Sequence, residues 1–133
     1  MDEELRPMPG KPQGVPVANG NTLWKVIDPL GCEIYLSLDT EEHILEGHPE
    51  MKDYWDAVKL TIQDPALIQR DGADGTTCYY YRLAGRNFFK HKDIYVSVVV
   101  HRDEVRGRIK TAHLVRHLRN NPGETIWLKT NVK

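Results

Sequence analysis

The sequence predicts an α+β domain: an N-terminal β-hairpin and two helices packed on one face of a four-stranded antiparallel sheet. Three observations carry this expectation. Two β-prone runs, Leu23–Asp28 and Cys32–Leu36, meet at a turn containing Pro29 and Gly31. Met51, Tyr54, Trp55, Val58 and Ile62 then recur at helical spacing. After Asp64-Pro65 the pattern changes to strands, the strongest being Ile94–His101, where Ile94, Val96, Val98 and Val100 alternate with Tyr95, Ser97, Val99 and His101.

Residues 1–22 contain Pro7, Pro9, Pro12, Pro16, Gly10, Gly14 and Gly20 and few large apolar side chains, a composition that cannot offset its own ordering entropy. They are expected to form a flexible tail, with residues 23–133 as a single domain. The hairpin follows. Asp39 and Glu42 have the spacing of a capping box, which predicts a short helix from Thr40 to about Glu46, stopped by Gly47. Pro49 suits the first position of a second helix, and Asp64-Pro65 ends it. Ala66–Gln69 and Cys78–Leu83 are short strands separated by the turn cluster Asp71–Gly75. Ala84–Asp93 is a basic loop carrying Arg86, Lys90, His91 and Lys92. Arg108–Val115 pairs with Ile94–His101, and Ile126–Leu128 is an edge strand after the turn Asn120–Gly123. With the helices on one face, the other face is left for a ligand.

A chain of 133 residues with 40% apolar side chains supports one packed core. It holds no apolar run long enough for a membrane span. The opening Met1-Asp2-Glu3-Glu4 is unlike the basic start of an export signal, so Cys32 and Cys78 are expected as reduced thiols in the cytoplasm. The net charge of −1 conceals an asymmetry. Residues 1–64 carry 13 acidic and 5 basic side chains, and residues 65–133 carry 6 acidic and 13 basic. A basic half of this kind suits a polyanion such as RNA, unless it folds against the acidic half and the charges cancel.

No Gly-rich phosphate loop and no CxxC pair are present. His113 and His117 have the i, i+4 spacing of helical metal ligands, but no Glu lies between them and Arg116 and Arg119 adjoin them, so no metal and no organic cofactor is expected. What remains is histidine beside basic residues. Metal-free RNA cleavage needs one group to take the 2′-OH proton, another to protonate the leaving 5′-oxygen, and donors to offset charge on the phosphate. Imidazoles suit both transfers. His43 lies within the first helix and His48 at the junction of the two, and a break at Gly47 and Pro49 lets them converge. Arg82 and Lys110 are candidate electrostatic clamps, Tyr80 a candidate stacking platform for a base, and Lys92 a further RNA contact. On a regular strand Lys110 and Thr111 point to opposite faces.

The stretch His43-Ile44-Leu45-Glu46-Gly47-His48-Pro49-Glu50-Met51, followed by Thr61–Pro65, Asp71, Tyr79-Tyr80-Tyr81, Val96–Val100, Ile109-Lys110-Thr111-Ala112 and Gly123–Trp127, resembles the phage-associated branch of the barnase–EndoU–colicin–RelE nucleases (the BECR fold). The resemblance spans Leu36 to Leu128. It implies two helices on a four-stranded antiparallel sheet and metal-independent ribonuclease activity. His43 and His48 match the helix histidines, and Thr111 the strand threonine. It further implies a toxin or phage-borne effector, with an antitoxin or immunity protein as a candidate partner. Gly47 stands where the resemblance implies a longer, often basic, residue before His-Pro-Glu. The expectation is therefore an endoribonuclease with His43, His48 and Thr111 at its centre. The alternative is a non-catalytic RNA- or protein-binding module on the same fold.

Overall fold

The structure is a computed structural model that describes residues 21–87, 92–119 and 122–130. The first 20 residues of the expected tail lie outside this set. The chain runs β1 (Thr22–Ile27), β2 (Glu33–Ser37), α1 (Leu38–Gly47), a 3₁₀ helix (Pro49–Asp53), α2 (Trp55–Gln63), β3 (Leu67–Asp71), β4 (Thr77–Asn87), β5 (Lys92–Arg102), β6 (Arg106–Val115) and β7 (Pro122–Leu128).

The expected four-stranded antiparallel sheet is corrected. Among the described residues seven strands form one mixed sheet in the order β1-β2-β6-β5-β4-β3-β7. The hairpin does not lie apart from the meander. It extends the meander, because β2 pairs in parallel with β6 through Glu33–Tyr35 against Arg106–Arg108. Every other neighbouring pair is antiparallel.

The hairpin turn is held by one carboxylate. Asp28 Oδ1 accepts from the N–H groups of Leu30 at 2.9 Å and Cys32 at 2.8 Å, and Gly31 takes φ +88°, a conformation open to glycine. Asp28 Oδ2 accepts from the Tyr80 hydroxyl at 2.6 Å, with Arg102 Nη1 at 3.7 Å. This buried polar group ties the turn to β4 and β5. Burial pushes the neighbouring Cys32 thiol up to about 11, against the opposing pull of Arg102.

α1 begins earlier than the capping-box spacing implies. Ser37, the last residue of β2, is the N-cap and accepts from the Thr40 N–H at 3.3 Å. The helical stripe of Met51 to Ile62 is divided at Tyr54 between the 3₁₀ helix and α2. Met51, Val58 and Ile62 are nevertheless all buried, with Ile44 of α1, against Ile34, Leu36, Tyr80 and Val96 of the sheet.

The other face of the sheet is not left wholly open. Leaving β6, the chain must pass β5, β4 and β3 to reach β7 at the far edge. It does so across the face away from the helices. The Arg119 N–H donates to the Tyr81 hydroxyl at 3.3 Å, and the Arg119 guanidinium lies 4.4 Å from the centre of the Tyr79 ring. Tyr79 and Tyr81 are accordingly buried, and the Tyr79 hydroxyl donates to Asp71 at 2.6 Å.

Candidate active site

Because β2 covers only the first residues of β6, the rest of β6 lacks a strand on that side. The chain instead turns from β2 straight into α1, which packs on β6. The helix ends at His48, whose N–H still donates to Ile44 O at 2.7 Å while its backbone leaves the helical region at φ −139°. Pro49 then starts the 3₁₀ helix. This places His48 at a corner beside the open flank of β6.

A β-bulge supplies the opposite wall. On a regular strand Ile109, Thr111 and His113 share one face. The ladder with β5 slips between Val99 and Val100: Val100 pairs with Ile109, and Val99 with Thr111. Lys110 is the additional residue, so Lys110 and Thr111 together oppose Val99 instead of projecting to opposite faces. Past the slip the phase is inverted. Ala112 joins Ile109 in the core, while Thr111 and His113 pair with Val99 and Ser97 on the face they share with Arg108, opposite His101.

His43, Glu46, Gly47 and His48 line one open cleft with Thr111, of about 300 Å³. His113 adjoins it. The imidazoles of His48 and His113 stack with centroids 4.9 Å apart and planes 14° from parallel. Glu50 Oε2 lies 3.7 Å from His48 Nδ1. His113 Nδ1 is buried with no hydrogen-bond partner among the described residues. Burial first, and then repulsion from His48, hold His113 below the ordinary histidine range, with Glu50 pulling the other way. At neutral pH His113 is therefore an uncharged ring. Among the described residues no group of three His, Cys, Asp or Glu side chains is placed to hold a metal ion.

The fold thus brings His43, His48 and Thr111 together. It places the remaining candidates elsewhere. Arg82 pairs with Val96 on the helical face, where its Nη1 donates to Asp64 O at 2.6 Å and Oδ2 at 2.9 Å, closing the end of α2. Lys129 shares that carboxylate, and both cations hold Asp64 below the usual carboxylate range, Lys129 foremost. Tyr80 is wholly buried and bonded to Asp28, so its ring has no face open to a base. Lys110 is exposed beside Thr111 but is not in the wall of the cleft. Lys92 opens β5, and its side chain lies outside the described residues. His113 lies on β6, within the strand expected over Arg108–Val115, and His117 lies beyond its end, so the two do not form a helical pair. The signal for its true place was the three-residue spacing of the apolar Ile109 and Ala112, which a regular strand does not allow.

No protein-family model, no curated protein and no solved structure matches this chain. Among the described residues no helix is long and apolar enough to cross a membrane.

Proposed function

We propose that the cleft cleaves RNA as a metal-independent endoribonuclease, with the RNA's own 2′-OH as nucleophile. One observation carries the proposal: His43 from within α1, His48 from its C-terminal end and Thr111 from β6 line a single cleft, with His113 stacked on His48. The resemblance of the His-Pro-Glu and Ile-x-Thr-Ala elements to BECR nucleases supports the same reading.

In this scheme His48, with Glu50 beside its Nδ1 and His113 against its face, takes the 2′-OH proton. The 2′-oxygen bonds to phosphorus and the bond from phosphorus to the 5′-oxygen breaks. His43 gives its proton to that leaving oxygen, and the Thr111 hydroxyl donates to a non-bridging phosphate oxygen. The products are a 2′,3′-cyclic phosphate and a 5′-OH. His113, kept neutral, fixes the plane of His48 without adding charge. Two buried, unpaired thiols fit a reducing compartment, and the reading makes the protein a cytoplasmic toxin or phage-borne effector.

The test is digestion of single-stranded RNA in EDTA. Cyclic-phosphate ends are expected, with a rate about 10²–10⁴-fold lower for His48→Ala. RNA left intact across several substrates refutes the nuclease reading. Salt-sensitive RNA binding retained without cleavage leaves the binding-module reading in its place.

A further inference from the structure

The basic residues of the C-terminal half divide by their partners. Arg70 faces Glu124, Arg82 and Lys129 share Asp64, and Arg102 is buried beside Asp28. Arg108, Lys110, Arg116 and Arg119 are exposed, and none of them forms an ion pair with a carboxylate of the described residues. These four lie on β6 and the segment that leaves it, the same stretch that supplies Thr111 and His113.

Their positions bracket the cleft. Arg108 shares a face with Thr111 and His113, and Lys110 sits at the bulge beside Thr111. Arg116 follows the last residue of β6, beyond His113. Arg119 lies over Tyr79 on the same side of the sheet. Two carboxylates on which this group acts are engaged already. Asp74 feels Lys110 but is bonded to Thr76 and Thr77, and Asp71 feels Arg119 but is bonded to Tyr79. From Arg108 to the end of β6 at Val115 the strand extends about 23 Å, room for several phosphates.

We propose that this row is the track for the sugar–phosphate backbone of single-stranded RNA, running past the cleft on both sides, so that the cleft meets an internal phosphodiester and not a chain end. The proposal rests on the nuclease reading for the choice of RNA. Cations on one side of a catalytic cleft suit a terminal nucleotide, whereas cations on both sides suit a strand that passes through. A single strand is favoured over a duplex because attack requires the 2′-oxygen, phosphorus and 5′-oxygen in line, and the stacked A-form helix holds the 2′-oxygen off that line.

Binding is measured by anisotropy with a fluorescent 12-nucleotide 2′-O-methyl RNA, which lacks the nucleophile and stays intact when bound. Across a salt series, the variant with Arg108→Gln, Lys110→Gln, Arg116→Gln and Arg119→Gln is expected to bind at least about tenfold more weakly near 0.1 M salt. Its slope of log affinity against log salt should be shallower by about 0.7 for each contact removed. Lys59→Gln with Lys129→Gln, on the helical side and at the end of β7, should match the wild type. Thermal melts check that each variant is folded. A circular RNA should be opened by the wild-type protein. The proposal is overturned if the fourfold variant binds like wild type, if the control pair loses as much, if polyglutamate displaces the RNA more readily than unlabelled RNA does, or if linear RNA is cut while the circle survives. Binding without any cleavage sinks the nuclease reading alone. Cleavage untouched by the four substitutions sinks the track alone.

Discussion

Tyr80→Phe separates two roles for one residue. The tyrosine is a plausible base-stacking group from its place in an aromatic strand, yet its hydroxyl is spent on Asp28 Oδ2 at 2.6 Å. The Asp28 side chain is 0% exposed and that of Arg102 7%, so water cannot replace the missing donor. Without it Oδ2 keeps only Arg102 Nη1, at 3.7 Å, beyond hydrogen-bond reach. A hydrogen bond to a buried charged acceptor is worth about 1.5–3 kcal/mol, and phenylalanine fills the same space, so the loss is expected near 2 kcal/mol. For a domain of this size that is roughly 8 °C in melting temperature. Urea and thermal unfolding followed by circular dichroism measure the loss, and anisotropy with 2′-O-methyl RNA on the same sample measures binding. The expected pair of results is a destabilised fold with unchanged RNA affinity. A loss under about 0.5 kcal/mol refutes the argument for the buried bond, and a fall in RNA affinity of the folded variant refutes the assignment of Tyr80 to the interior.

Three further predictions follow from the packing and the charges. Ser37→Ala is expected to cost about 1 kcal/mol and Asp39→Ala clearly less, because Ser37 is the N-cap of α1; the reverse order in urea unfolding restores Asp39 to that role. In Gly107→Ala the new Cβ would sit 2.8 Å from Arg102 Cβ and Val100 Cγ1 and 2.9 Å from Ile34 Cδ1, so overpacking where β2 meets β6 should cost about 1–3 kcal/mol; an unchanged urea midpoint removes that constraint. Because the fold holds His113 below its ordinary value of 6.5, the unfolded chain takes up that proton first on acidification. Its contribution is complete above 6.5 and is lost as pH falls toward the folded value, so His113→Leu should flatten the decline in stability as the pH falls below 6.5. An identical slope in wild type and variant contradicts the placement of the ring.

The local signals in the sequence were informative where one interaction dominates. Pro29 and Gly31 marked the hairpin turn, and the apolar spacing from Met51 to Ile62 marked the buried side of the second helical stretch even though that stretch is broken at Tyr54. The stripe survives the break because a 3₁₀ turn brings residues i and i+3, here Met51 and Tyr54, to the same side. At the start of α1 two acceptors competed, and Ser37 prevails because β2 passes into the helix with no intervening loop. The sheet was less legible. The partnership of β2 with β6 joins residues some seventy positions apart, and nothing in either strand alone names the other. The crossing of the second face follows only from that strand order. Within the site, His43 and His48 were readable from the helix break, but His113 was concealed by the assumption of an uninterrupted strand, and Arg82 by the Asp64 carboxylate that the end of α2 presents to it.

The slip opposite Val99 has a consequence for how such a protein diverges. With the sequence as it stands, the bulge alone decides whether the side chains of Thr111 and His113 face the interior or the cleft, with no change in their identity. Kinship in this architecture should then be sought by aligning strand phase, since two chains can spell the same residues there and differ in chemistry, or spell different ones and present equivalent groups.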